Sequence, residues 1–248
     1  MRLSSRNLAL VAVFAALYYV LSLITPHIPV YQEVKISLEA LIASVFGLIL
    51  GPYLGMLAAL VGVAVTWTIP PGSMSPSGLP FLLSPPLNAL VTGLVFYRKW
   101  KAGFLIFGLL IVAFFFTPPV QPLTENMFVG IAVVWDKIIA LLLILPCVKL
   151  AGQLSKPGTA PLFFLLAFIG NQVDNMWGAL AFATPIVYEG IFNMTIDVVR
   201  VGFTVSPFIY PAIRIIQATI AMFVAVPLIK AIKGTPWIWQ EATILDHV

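Results

Sequence analysis

Apolar residues run in long blocks along this chain, and most polar residues fall between the blocks. A helix that crosses a membrane needs about 20 mainly apolar residues, within a range of about 17 to 25. By that measure the chain divides into about eight segments, at residues 8–24, 36–50, 52–69, 81–97, 102–116, 127–148, 162–183 and 208–229. The second and fifth are short. Glycine and proline mark most of the joints: Pro26 and Pro29, Pro70-Pro71-Gly72, Pro118-Pro119, Pro157-Gly158 and Pro207. The pattern predicts an all-α polytopic membrane bundle of about six to eight transmembrane helices. Apolar runs fill the whole length, so residues 1–248 are expected to form a single integral membrane domain.

The stretch from Val34 to Trp67 is the most regular. It predicts two helices joined by a turn at Gly51-Pro52, since proline suits the first turn of a helix, where its missing N–H costs nothing. Gly47, Gly51 and Gly55 recur every four residues, with Ala58 and Gly62 close to the same spacing. In an apolar helix such small residues let a neighbouring backbone approach closely. The one acid here is Glu39, a charge near a membrane face.

With 61% hydrophobic and 9% charged residues, the composition is that of a multi-pass membrane protein and excludes a soluble domain. The net charge of +4 is scattered between apolar runs, which argues against nucleic-acid binding. Basic residues cluster on one side if the N-terminus is cytoplasmic: Arg2, Arg6, Arg98, Lys99, Lys101, Lys149, Lys156, Lys230 and Lys233 inside, Lys35 and Arg200 outside. The positive-inside rule therefore places both termini in the cytoplasm. Residues 8–24 are long for a signal peptide and lack a small-x-small cleavage site, so they read as an uncleaved span. Cys147, the one cysteine, is expected to be a buried small hydrophobe.

Five ionisable residues fall inside predicted spans: Glu39, Asp136, Lys137, Asp174 and Arg214. At about 2.5–3.5 kcal/mol each at a helix centre, the unpaired set would cost on the order of 12–17 kcal/mol. That rivals the whole stability of a typical domain, so they must face one another, water or a ligand. Helical spacing puts Asn171, Asp174, Asn175 and Gly178 on one stripe, and Tyr210, Arg214, Gln217 and Ala221 on another. At about 1.5 Å of rise per residue, Asp136 and Asp174 lie on the order of 14 Å below the outer surface. Gln217 falls at about 12 Å, Asn88 at about 10 Å, Arg214 at about 7 Å, and Glu39 is shallower. The inner halves of the same helices are almost wholly apolar, which predicts a polar site in the outer half, open to the outside, above a dry floor.

Each feature has a structural alternative. Asp136, Lys137, Asp174 and Arg214 could be mutual ion pairs that fix helix register, and Asn88 an interhelical hydrogen bond. Trp67, Trp135 and Trp177 fit an interfacial belt or packing as well as a stacking platform. Enzyme chemistry has little support: there is no HExxH, GxSxG or GxxxxGK[ST], no paired cysteine, and the two histidines are His27 and His247. No metal or cofactor is called for.

Several stretches together resemble a known family. Arg6-Asn7-Leu8-Ala9-Leu10-Val11-Ala12-Val13-Phe14-Ala15-Ala16-Leu17 opens it, followed by a proline-bearing outer loop at residues 25–35. Ile36-Ser37-Leu38-Glu39-Ala40-Leu41 comes next, then Phe46-Gly47-Leu48-Ile49-Leu50-Gly51-Pro52-Tyr53-Leu54-Gly55, and Val226-Pro227-Leu228-Ile229-Lys230-Ala231 near the end. In this order they are similar to the substrate-binding S component of an energy-coupling factor (ECF) transporter. The resemblance implies a vitamin or similar micronutrient bound in the outer half of the membrane. It also implies a transmembrane coupling protein, driven by two cytoplasmic ATPases, docked on an AxxxA motif that Ala12 and Ala16 match and Ala9 extends. The family has six membrane helices, so about eight here would mean one extra hairpin within residues 102–148.

The reading is a non-enzymatic substrate-capture subunit in the cell membrane, with a small-molecule solute, membrane lipid, the coupling protein and the ATPases as partners and no nucleic acid. Asn171, Asp174, Asn175, Arg214 and Gln217 are the first candidates for solute contacts, followed by Asp136, Asn88 and Glu39. The alternative is a stand-alone proton- or cation-coupled secondary transporter using Asp136 and Asp174. That reading calls for an inverted repeat, and the sequence has no convincing internal repeat.

Overall fold

Where residues 42–50 meet residues 52–68, the chain reverses on a glycine. Gly51 has φ 81° and ψ 172°, a region that essentially only glycine occupies, and Pro52 starts the return leg. A Cβ built on Gly55 would lie 2.7 Å from the carbonyl oxygen of Phe46 and 2.9 Å from the Cα of Gly47. Residues eight apart would be about 12 Å distant along one straight helix, so the segment is a hairpin with its legs in backbone contact. The turn expected at Gly51-Pro52 is present.

The computed structural model describes residues 4–24, 27–31, 34–37, 41–70, 74–149 and 160–232, over 27–37 by their backbone alone. Glu39, Arg2, Lys156 and Lys233 lie outside the described residues. The elements are α1 (Ser5–Ile24), β1 (His27–Tyr31), β2 (Val34–Ser37), α2 (Ile42–Thr68, kinked at Gly51), α3 (Ser84–Phe96), α4 (Trp100–Phe114), α5 (Leu123–Lys149), α6 (Ala160–Phe182), a one-turn α7 (Pro185–Tyr188) and α8 (Ile196–Ile232). The all-α bundle is as expected, with one local addition. The outer loop after α1 folds into an antiparallel β1–β2 ribbon in which His27 faces Ser37 and Ile28 faces Ile36.

By length and composition five stretches could cross a membrane, counting as one the two legs of α2 (residues 42–50 and 52–68) that double back at Gly51, and Trp100–Phe114 is a shorter apolar helix. Ala160–Phe182 has the length but carries Asn171, Gln172, Asp174 and Asn175 through its middle. The basic residues sort as the topology requires: Arg6 starts α1, Arg98, Lys99 and Lys101 flank the α3–α4 turn, and Lys149 and Lys230 end α5 and α8. Lys99 lies 5.5 Å from the ring of Tyr53, which brings the Gly51 turn to the same end of the bundle as those basic residues.

Glycine also docks α3 onto the hairpin. An added Cβ at Gly47 would overlap the carbonyl oxygen of Ala89, and one at Gly93 would come within 2.7 Å of the Cα and N of Pro52. Tyr97 closes the inner end by donating its hydroxyl to the Leu48 carbonyl at 2.8 Å. Helix α1 lies along the second leg of α2, where Gly62 admits Tyr18 and Thr66 meets Ser22 at 3.4 Å. Helices α5, α6 and α8 pack against one another, and α6 also packs on α3. Below the polar residues the core is apolar: Phe107, Ile144, Cys147, Phe163, Leu166, Ala225 and Ile229 are buried.

Helix α8 departs from expectation. It begins at Ile196, not at residue 208, and continues through Pro207, Pro211 and Pro227. Pro207 does not start the helix, although the stretch long and apolar enough to cross a membrane is Pro207–Ala231; neighbouring helices and local adjustment can satisfy the carbonyls that a proline leaves free inside a membrane helix. The outer turns are held by Arg200, which donates to the carbonyls of Pro119 at 3.1 Å and Gln121 at 3.0 Å and pairs with Asp197 at 3.3 Å.

Gly93→Ala should lower the melting temperature in detergent, with a cost of about 1–3 kcal/mol, because the contacting atoms are backbone. Gly202→Ala meets nothing within 4 Å. It should leave the melting temperature unchanged or raise it by up to about 1 kcal/mol in stability. Equal melting of the two variants would disprove the close-contact account.

Candidate functional site

Helix α6 carries the site on one stretch of two turns. Its polar residues face three neighbours, and each is nearly closed to solvent: Asn171 is 1% exposed, Gln172 0%, Asp174 7% and Asn175 8%. Their partners are equally buried, with Asn88 on α3, Asp136 and Lys137 on α5, and Arg214 and Gln217 on α8 all at 5% exposure or less. A group left unpaired here would cost several kcal/mol, so the pattern of pairs decides the arrangement.

Toward α3, the Asn88 amide donates to Asn171 Oδ1 at 3.0 Å, while its own Oδ1 accepts from the Thr92 hydroxyl at 3.2 Å. Gly170 makes room for this contact, because a Cβ there would overlap Asn88 Oδ1 and Thr92 Oγ1. Asn88 therefore serves as the interhelical hydrogen bond. Both ends of its amide are committed inside the bundle, and its effect on a solute would pass through Asn171.

Toward α5, the Gln172 amide donates to Asp136 Oδ2 at 3.0 Å, and Asp136 Oδ1 pairs with Lys137 Nζ at 2.9 Å. Neighbouring residues on a helix point about 100° apart. The long lysine stem bridges that angle and leaves Nζ 6.0 Å from the Tyr210 ring on α8.

Toward α8, Arg214 Nη1 lies 3.4 Å from Asp174 Oδ1 and donates to Gln217 Oε1 at 2.8 Å. The long arginine side chain lets the guanidinium on α8 reach the Asp174 carboxylate on α6. The four charges in described spans thus form two ion pairs, Asp136–Lys137 and Asp174–Arg214.

Three polar atoms in the cluster have no hydrogen-bond partner among the described residues: Asn171 Nδ2, Gln172 Oε1 and Arg214 Nε. Two are donors and one is an acceptor. Among those residues no three His, Cys, Asp or Glu side chains come together as a metal site.

An aromatic layer lies outward of the cluster. Phe182 ends α6 about 12 Å above Asp174 by helical rise, and its ring stands 5.4 Å from Phe192 and 6.0 Å from Phe203. Phe192 in turn meets Phe81 at 6.5 Å. Between roof and cluster, Gly178 leaves space: a Cβ there would reach only Phe81 and Ser84, each at 3.9 Å. The indole N–H groups of Trp177 and Trp67 donate to the carbonyls of Pro80 and Ser75, which pins the α2–α3 connection over this end. Trp135, at 40% exposure, faces away from the cluster.

Of the residues the sequence singled out, the structure brings together Asn88, Asp136, Asn171, Asp174, Arg214 and Gln217, with Asn175 on the same stripe. Glu39 lies outside the described residues. Gln172 and Thr92 were missed. Thr92 stands four residues after Asn88 on an apolar helix, a readable signal. Gln172 lies about 100° off the α6 stripe, so only the position of α5 reveals its role.

A protein-family model described as ECF-type riboflavin transporter, S component, matches residues 2–187 of the 248. The match spans α1 to α7 and stops short of α8, which supplies Arg214 and Gln217. No curated protein and no solved structure matches the chain.

Removing one member of a buried ion pair strands the other, at a cost of about 3–5 kcal/mol, whereas replacing both with apolar residues is often neutral. Asp136→Leu should therefore lower the melting temperature markedly, and Asp136→Leu with Lys137→Leu should recover part of the loss, the rest being the Gln172 amide left without its acceptor. Thermal unfolding in detergent reads both. A double variant no more stable than the single one would contradict the pairing.

Proposed function

Because the chain belongs to the family of ECF-type riboflavin transporter S components, a multi-pass cell-membrane family, we propose that it captures a vitamin-like, water-soluble micronutrient in the outer half of the membrane. The solute is then imported through a transmembrane coupling protein and cytoplasmic ATPases. One observation carries this reading: a closed set of buried polar side chains on α5, α6 and α8, above an apolar floor and below an aromatic roof. A structural bundle gains little from so many costly polar groups on one side of the membrane midplane. Riboflavin is the first solute to try, because the family is described by it.

Docking falls to α1. Val11, Ala15 and Tyr18 are buried against the bundle, while Ala9, Ala12 and Ala16 are exposed on another face. That division favours a partner surface over packing within the chain. Small side chains let a partner helix approach closely and slide without interlocking.

Solute contacts go first to Asn171, Asp174, Asn175, Arg214 and Gln217, with Asp136 and Glu39 second and Asn88 acting through Asn171. The pairing of Asp136 with Lys137 and of Asp174 with Arg214 weighs against the secondary-transporter alternative. Each carboxylate is already committed to a buried cation of the bundle.

In a thermal-shift screen of the purified protein, a bound vitamin at a hundredfold excess over its Kd should add about 2.7 kcal/mol of stability. Silence across water-soluble vitamins and their precursors would count against the capture reading. Asp174→Asn should weaken solute binding while the protein still folds, and unchanged affinity would remove Asp174 from the site. Ala12→Leu should leave binding intact but abolish uptake by cells that supply the coupling protein and ATPases. Normal uptake would refute the docking role.

A further inference from the structure

We propose that Arg214 and Asn171 are the specificity-determining donors of the site, reading two carbonyl oxygens of an uncharged solute through Arg214 Nε–H and the Asn171 side-chain amide N–H. The inference rests on the capture reading above and narrows its solute class.

Both side chains are anchored at one end and open at the other. Asn171 accepts from Asn88 through Oδ1 and leaves Nδ2 without a partner among the described residues. Arg214 uses Nη1 for Asp174 and Gln217 and leaves Nε without a partner among the described residues. The residues are 1% and 5% exposed, so bulk water does not answer these donors. A buried donor left unsatisfied is costly, and a fold that positions two of them is matched by a ligand with two acceptors.

The donors share one seam. Asn171 and Asp174 are three residues apart on α6, neighbours on one face at about 5–6 Å between Cβ atoms. Arg214 reaches the same place from α8 through Asp174. The acceptors on the solute must therefore stand within about one helical turn of each other, as two carbonyls of a single ring can.

Charge selects among acceptors. The Arg214 cation is already faced by Asp174, and the Lys137 cation by Asp136. A carboxylate or phosphate would bring a further negative charge into a low-dielectric site beside two buried carboxylates, whereas a carbonyl oxygen adds none. Arg214 lies beyond the segment that the family model matches, so α8 sets this part of the specificity from its own sequence.

The test uses the full chain in detergent, with riboflavin, an uncharged ring dione, as the first probe. Asn171→Asp keeps the acceptor toward Asn88 and removes the donor; Arg214→Lys keeps the charge toward Asp174 and removes Nε–H. Each should weaken binding by about tenfold to a hundredfold. Melting within a few degrees of the parent would separate this from misfolding. The same titrations with 2-thio- and 4-thioriboflavin, in which one carbonyl oxygen becomes a poor acceptor, complete two double-mutant cycles. One thio analogue should bind less tightly than riboflavin to the parent but equally well to Asn171→Asp, and the other likewise for Arg214→Lys. A purely structural role would leave the analogue penalties the same in parent and variants, and that result, or parental affinity in both variants, would overturn the proposal.

If the parent does not bind riboflavin, the solute found in the vitamin screen replaces it. A hit that carries net charge would overturn the proposal and leave the capture reading standing. An uncharged hit whose affinity ignores both substitutions would do the same. No hit at all would overturn both.

Discussion

Backbone lies directly on backbone where the two legs of α2 meet each other and α3. Gly47, Gly55 and Gly93 each bring another main chain closer than any side chain would permit. Lipid offers no hydrophobic drive between helices, so association here depends on dispersion at close range. The Gly51 turn aligns those glycines, and everything that follows takes its position from that three-legged unit: α3 presents Asn88 and Thr92, and α6 can lie against them because Gly170 has no side chain.

The second requirement is electrostatic. Within the spans, Asp136, Lys137, Asp174 and Arg214 had to find partners, and they did so locally. One pair lies within α5 and reaches α6 through Gln172; the other joins α6 to α8. These links hold together the three helices that enclose the polar cluster. The same groups that pin the helices also keep polar atoms without a hydrogen-bond partner among the described residues. Removing them would therefore affect stability and recognition together, which is why charge-conserving substitutions separate the two roles better than truncations do.

Family membership and physical reading meet at the outer half of the bundle. The family model covers α1 to α7, including the hairpin, the small exposed face of α1 and the polar stripe of α6. Helix α8 adds the guanidinium that closes the stripe.

Much of this protein could be read from residue order alone. Runs of apolar residues set the helical legs, the basic residues set their direction, and Gly51-Pro52 set the reversal, because each acts through local geometry or the membrane itself. Spacing also put Asn171, Asp174 and Asn175 on one face and Arg214 with Gln217 on another. Tertiary structure decided the rest. Proline spacing did not reveal that α8 starts at Ile196, and only the tertiary contact shows that Arg214 faces Asp174. Gln172 gained its role from the position of α5, and Asn88 proved to be bonded at both ends. Which donors stay open depends on which partners arrive, and a periodic pattern along one helix carries no information about its neighbours.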